Sequence, residues 1–192
     1  LILGDNLYHG NELTPQLIKA NKNNNGATIF VYPVSDPQRY GVAEFDDNKR
    51  VINLEEKPKK PLSRYAVTGI YFYDNCAVSK AKEIKPSSRG ELEITSLNNL
   101  YLKENNLFVE IMGRGMAWLD TGTFDSLHQA GSYIRLLERR QGLKVGCPEE
   151  VAWRNKWISN KDLIKLAENM IKSGYGQYLL DIQKDPFNKN LD

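Results

Sequence analysis

The chain has 192 residues, 41% of them hydrophobic and 26% charged, with a formal net charge of +2. That length supports a sizeable core, the small net charge points to neither a nucleic acid nor a membrane surface as partner, and no apolar run approaches the roughly 18 residues of a membrane-spanning helix. The two cysteines, Cys76 and Cys147, fit neither a disulfide framework nor a metal-ligand spacing, so a reducing cytoplasm is the expected location.

Leu1, Ile2 and Leu3 followed by Gly4, Asp5 and Asn6 predict a buried strand that stops at a polar tip. Ligands of open α/β sheets sit outside the carboxyl ends of strands, which gives Asp5 a chemical position. A turn-capping aspartate reads equally well from so short a stretch. A buried parallel strand needs neighbours on both sides, so the chain is expected to be the downstream part of a longer protein. After a loop to Leu13, Thr14 and Pro15 open a helix as N-cap and first turn, and Asn21 to Gly26 end it. Ala27 to Val34 is the next strand, which makes the first unit strand, helix, strand with a parallel pair.

Residues 42–46 and 51–55 alternate around a polar turn and predict an antiparallel hairpin whose second arm ends at Pro58. Ala66 to Tyr73 is a further strand, and its internal Gly69 predicts close approach by a ligand or another backbone. Helices follow at 75–84 and 91–104, and strands at 107–112 and 116–119. Thr123 caps a helix to about Arg140 that should turn Phe124, Leu127, Ile134 and Leu137 inward, with Gly142 just past its end. Trp118, Leu119 and Asp120 repeat the design of the first strand, apolar residues and then a carboxylate, and two such tips can offer oxygen ligands to one hard cation. The last third is helical. Pro148 starts one helix, running to Trp157 with Trp153 and Trp157 on one face, Ser159 caps another that stops at Gly174, and 184–192 is a polar tail.

Seven stretches in register, Leu3 to Asn6, Tyr40 to Val42, Glu55 to Pro58, Thr68 to Tyr73, Arg89 to Thr95, Trp118 to Thr123 and Cys147 to Arg154, resemble the bacterial glucose-1-phosphate thymidylyltransferases, a family of sugar nucleotidyltransferases. The resemblance implies an α/β fold of the nucleotide-diphospho-sugar transferase type. Its mostly parallel, Rossmann-like sheet is flanked by helices and interrupted by an antiparallel hairpin. Residues 1–142 would be the downstream part of the catalytic domain and 143–192 a helical extension.

It also implies transfer of a thymidylyl group from dTTP to glucose 1-phosphate, giving dTDP-glucose and pyrophosphate. Asp5 and Asp120 would hold Mg2+, Lys57 and Arg89 would meet the sugar's phosphate, and Glu56 would accept bonds from sugar hydroxyls. Tyr40, Gly41, Val67, Gly69 and Tyr71 would shape the sugar pocket, and Trp118 would wall it. On the residues alone, Lys57 beside Glu55 and Glu56 reads as a solvated hairpin end.

The resembled enzymes are homotetramers with a regulatory nucleotide site, which would correspond to Gly10, Gly113, Arg114, Lys144, Val145, Glu150, Val151 and Arg154. The family's Gly-rich nucleotide loop has no counterpart in this sequence, so the chain alone is expected to lack nucleotide binding, and Ser96 stands where an acidic residue is usual. A uridylyl- or cytidylyltransferase, or a non-catalytic sugar-phosphate-binding module, are the alternatives.

Overall fold

The computed structural model describes residues 1–22, 25–48 and 50–184. In chain order the elements are β1 (Asn6–His9), α1 (Leu13–Lys22), β2 (Ala27–Pro33), a 3-10 turn (Pro37–Arg39), β3 (Gly41–Phe45), β4 (Val51–Glu56), β5 (Tyr65–Tyr73) and α2 (Ala77–Ala81). Then come α3 (Ile94–Lys103), β6 (Leu107–Ile111), β7 (Ala117–Asp120), α4 (Phe124–Gln141), α5 (Pro148–Arg154), α6 (Asn160–Glu168), a 3-10 turn (Ile171–Ser173) and α7 (Tyr175–Lys184). They divide, within α4, into two compact units, Leu1–Tyr133 and Ile134–Asp192. The polar tail expected at 184–192 lies outside the described residues from 185 on, as do Asn23 and Asn24 after α1 and Lys49 in the hairpin turn.

The first unit is built on a five-stranded sheet of order β4-β3-β5-β2-β6, with β1 and β7 forming a separate antiparallel ribbon. Strand β2 is buried continuously from Ala27 to Val31 because both its faces are covered. Ile29 and Val31 pack with Ala43, Leu54, Val67 and Tyr71 on one side, while Phe30 packs with Ala20, Ile70, Met112 and Met116 on the other. The alternation of a strand therefore divides one apolar run between two cores. The α/β class and the hairpin (β3 with β4, Gly41 opposite Glu56) are as expected. The sheet is mixed rather than mostly parallel: β2 is parallel to β6 but antiparallel to β5, and β3 is antiparallel to both β4 and β5, because the hairpin and β5 follow β2 without a crossover helix.

The opening stretch departs from expectation. Leu1, Ile2 and Leu3 are 65%, 66% and 41% exposed, and they run antiparallel to β5 through the bridge of Ile2 with Ile70. The Leu3 N–H donates to the Gly69 carbonyl at 2.9 Å and the Tyr71 N–H to the Leu1 carbonyl at 3.0 Å. Strand β5 is already paired with β2 on its other side, where the register slips between Ile29 and Val31. Leu1 to Leu3 thus gain one neighbour and stay exposed on the side away from it. The parallel pairing expected between the opening stretch and β2 does not form: β2 is parallel to β6 instead, and the segment read as a loop after Asp5 is β1.

Helix α4 begins where Thr123 Oγ1 accepts the Ser126 N–H at 3.1 Å, and ends with Gly142 at φ +73°, both as expected. Phe124 is 94% and Leu127 55% exposed, against the inward face predicted for them, because no described element of the first unit covers the first turn. In the second unit Leu163, Ala167, Leu179 and Ile182 form a core with Cys147. Ser159 and Asp162 close a reciprocal capping box on α6. Helix α5 stops at Arg154, short of the predicted Trp157. Lys156 turns left-handed (φ +59°), and Trp157 is 73% exposed, so Trp153 and Trp157 do not share a helix face.

Replacing Ser159 by Ala removes the acceptor of the Asp162 N–H and should lower stability by about 1 kcal/mol. Gly26→Ala should cost more than about 1 kcal/mol, since Gly26 has φ +91° and its added Cβ would meet the Asn106 carbonyl oxygen. Urea midpoints of the two variants against the parent protein measure both.

Candidate active site

Two strands position the acidic pair. Antiparallel β1 and β7 set Asn6 opposite Asp120. The Thr121 N–H and hydroxyl both donate to the Asp5 carbonyl, at 2.8 and 2.9 Å, across a sequence separation of 116. Asp5 and Asp120 therefore line one cavity of about 540 Å³ within the first unit. Asp5 is thus at the entry of an antiparallel ribbon rather than at the end of a buried parallel strand.

Asn6 ties this corner together. Its amide nitrogen donates to Asp5 Oδ1 at 2.8 Å, and its amide oxygen accepts the Trp118 indole N–H at 2.6 Å. Gly69 leaves the space that the amide occupies: a Cβ there would lie 2.7 Å from Asn6 Nδ2 and 3.0 Å from the Leu3 Cβ. The close approach predicted at Gly69 is this side-chain contact. The Gly69 N–H donates to the Tyr8 hydroxyl oxygen at 2.7 Å, and burial pushes the Tyr8 phenol up to about 12, so it stays a neutral strut.

Both oxygens of Asp120 are engaged. Oδ1 accepts the Tyr40 hydroxyl at 2.6 Å, and Oδ2 accepts Arg39 Nη2 at 3.1 Å, with the Ser126 hydroxyl and the Gly122 N–H each at 3.4 Å. Burial, then the bond to Asp120, pushes the Tyr40 hydroxyl above its usual range. Arg39 also donates from Nη1 to Asp36 Oδ2 at 3.0 Å, and that bond is the main reason its pKa rises. The Tyr40 and Trp118 rings pack with centroids 5.0 Å apart.

The hairpin supplies the opposite wall. Gly41 lies across from Glu56, and a Cβ on it would meet Thr95 Oγ1 at 3.0 Å and Glu56 Oε2 at 3.3 Å. The Thr95 hydroxyl donates to Glu56 Oε2, which fixes that carboxylate. Lys57 follows at φ +45°, its N–H donating to the Tyr40 carbonyl at 3.0 Å, and it lines the cavity while remaining exposed. Val67, Gly69 and Tyr71 of β5 line it too, as does Trp118. Arg89 does not line it. Its guanidinium is held by Glu91 at 2.9 Å, Glu93 at 3.5 Å and Glu56 at 3.8 Å.

Every other residue expected at the metal and sugar-phosphate site is thus at this cavity, and among the residues that join them Asn6, Arg39 and Thr95 were given no role from the sequence. Asn6 and Thr95 sit inside stretches that carried the resemblance. Arg39 sits in a turn cluster with no chemical signature, so only the fold reveals it.

Chemically, the lining combines three carboxylates (Asp5, Glu56, Asp120) with two cations (Arg39, Lys57). An excess of carboxylate over cation leaves room for a further cation. Two carboxylates on one wall, with room for water and phosphate oxygens, suit Mg2+, which keeps several waters and takes few protein ligands. Among the described residues no group of three His, Cys, Asp or Glu is arranged as a closed metal cage.

The residues assigned to a regulatory site fall in both units. Gly10, Gly113 and Arg114 lie in the first, where a Cβ on Gly10 would lie 2.8 Å from the Gly115 carbonyl oxygen. In the second, Lys144 pairs with Glu138 at 2.6 Å, the Val145 N–H donates to Glu138 at 3.2 Å, and Arg154 pairs with Glu150 at 2.8 Å. The Tyr178 hydroxyl donates to Glu150 and accepts the Lys144 N–H at 3.1 Å, linking the two pairs, while Val151 is exposed.

The chain is similar to proteins of known name. Glucose-1-phosphate thymidylyltransferases of Neisseria meningitidis, Xanthomonas campestris and Mycobacterium tuberculosis are 52%, 53% and 52% identical over 96%, 96% and 95% of the chain. The chain spans only 64%, 62% and 63% of their lengths. A Bacillus anthracis crystal structure, provisionally assigned as a glucose-1-phosphate thymidylyltransferase and solved with a sucrose, is 45% identical with a TM-score of 0.62, over 70% of this chain and 53% of that one. A UDP-glucose pyrophosphorylase bound to UDP-glucose, 19% identical with a TM-score of 0.57 over 70% of this chain and 55% of that one, shares the fold. Residues 1–135 match the family model described as nucleotidyl transferase. The chain belongs to the nucleotidyl transferase family.

Proposed function

We propose that the protein acts in glucose-1-phosphate thymidylyl transfer. An oxygen of glucose 1-phosphate attacks the α-phosphorus of dTTP, the bond from that phosphorus to the oxygen bridging to the β-phosphate breaks, and dTDP-glucose and pyrophosphate are released. The observation that carries this reading is the convergence of Asp5 and Asp120 on the cavity that Glu56 and Lys57 close from the other side. The names of relatives at 52–53% identity support the choice of sugar and nucleotide.

Little covalent work falls to the protein in such a transfer; orientation and charge dominate. Asp5 and Asp120 would hold Mg2+, which when bound polarises the α-phosphate and offsets repulsion between the two anionic substrates. Lys57 meets the sugar's phosphate as a mobile point charge. Glu56, fixed by Thr95, accepts hydrogen bonds from sugar hydroxyls. Val67, Tyr71 and Trp118 exclude water along the apolar face of the ring, and Gly41 and Gly69 keep the floor low. Arg89, beside Glu56 at 3.8 Å, steadies that carboxylate from outside the cavity, in place of the direct phosphate contact implied for it.

Asp120→Asn in the full-length protein should cut kcat by about 100-fold or more while glucose 1-phosphate binding by calorimetry changes little. Equal loss of both would make Asp120 structural. Lys57→Ala should raise KM for glucose 1-phosphate by about tenfold or more, the worth of a charge-assisted contact, and unchanged kinetics would return it to the solvated surface. Gly69→Ala should lower kcat by displacing the Asn6 amide from Asp5, with the Trp118 fluorescence shifting in parallel.

A further inference from the structure

Both oxygens of Asp120 are partnered in this structure. The Tyr40 hydroxyl takes one oxygen, and Arg39, Ser126 and the Gly122 N–H crowd the other. A cation that is to bind at Oδ2 competes with the donors already there. Tyr40 is a neutral donor anchored by its packing on Trp118, and Ser126 and Gly122 sit at the long limit of hydrogen bonding. Arg39 is the one partner that carries positive charge, so it alone both occupies the site and repels what would enter it.

Arg39 also has somewhere to go. Its side chain is 39% exposed, and its Nη1 is already bonded to Asp36. Beyond Asp120 lies a second cavity of about 340 Å³, walled by Asp36, Ser126 and Gln129, and the two cavities share Arg39, Tyr40, Trp118 and Asp120. The guanidinium stands in the partition between them.

We propose that Arg39 is an exchangeable counter-cation of Asp120. It fills the carboxylate's charge requirement while no metal is bound, and it cedes Asp120 to the entering divalent cation by withdrawing into the second cavity on its bond to Asp36. Arg39 is then a positioning residue that holds Asp120 aimed at the first cavity and sets the metal threshold, and Asp36 is the anchor that makes the exchange reversible. This inference rests on the proposed role of Asp5 and Asp120.

Mn2+ alone, titrated into the full-length protein and followed by electron paramagnetic resonance, tests it without reference to turnover. Arg39→Gln removes the competing charge and should tighten Mn2+ binding about fivefold. Asp36→Asn removes the anchor, leaves Arg39 on Asp120 and should weaken binding. The double variant should match Arg39→Gln alone, because Asp36 acts only through the arginine. A residue that merely props up the fold would weaken binding when lost, so Arg39→Gln binding Mn2+ equally or less tightly overturns the proposal. Mn2+ binding that survives unchanged in Asp5→Asn overturns the metal reading itself, and the counter-cation role with it; loss of binding there together with unchanged binding in Arg39→Gln overturns the counter-cation role alone.

Discussion

The pairing of β1 with β7 is the constraint on which the candidate site depends. It is a short ribbon apart from the main sheet, yet its register sets Asp120 opposite Asn6 and its end locks the Asp5 carbonyl to Thr121. Because backbone bonds fix this register, the two carboxylates are placed before their side chains choose rotamers. The side chains then refine the placement: Asn6 orients Asp5 and borrows its own orientation from Trp118, and Tyr40 orients Asp120. At Gly69 the Asn6 side chain of the ribbon reaches the sheet so closely that a Cβ would obstruct it.

Around this corner the charges form a graded set. Glu56 is tied to Thr95 and faces Arg89 across 3.8 Å, so it is a rigid acceptor. Asp120 is held closest by Tyr40, a neutral donor, and Arg39, a charged one, which makes part of its partnership exchangeable. Asp5 is exposed and held by a single amide, the least committed of the three. Lys57 is the free cation among the lining residues in the sense that no described carboxylate bridges to it, which suits a group meant for a mobile anion. One wall is thus preset and the other adjustable, a division that suits a reaction bringing two anions together.

Much of this was legible in the residues, and the failures share a cause. Local signals held: the hairpin around 42–55, the β5 run with its internal glycine, the Thr123 start and Gly142 stop of α4, and the Ser159 cap all came from neighbours in sequence. What failed was choice of partner. The sequence pairs Leu1 to Leu3 in parallel with β2, but they bridge antiparallel to β5. Phe124 has the spacing of a core position but stands in a first turn that the described residues of its unit do not cover. Composition reports what a segment could bury, whereas burial is settled by what the rest of the chain brings to it. Arg39 shows the same limit at the site: nothing in its own turn points to an aspartate 81 positions downstream.

The ribbon also carries a kinetic consequence. Closing β1 onto β7 means closing a loop more than a hundred residues long, since the Asn6–Trp118 bond alone spans 112 positions, whereas the hairpin closes over a handful and the β2–β5 and β2–β6 ladders over intermediate spans. Loop-closure entropy falls on the ribbon most heavily while the intervening chain is unfolded, and lightens once the sheet has drawn the ends together. Loop closure therefore favours assembly of the carboxylate pair after the sheet. A variant that weakens the ribbon would refold its sheet at the normal rate and recover its reactive corner only in a separate, slower phase.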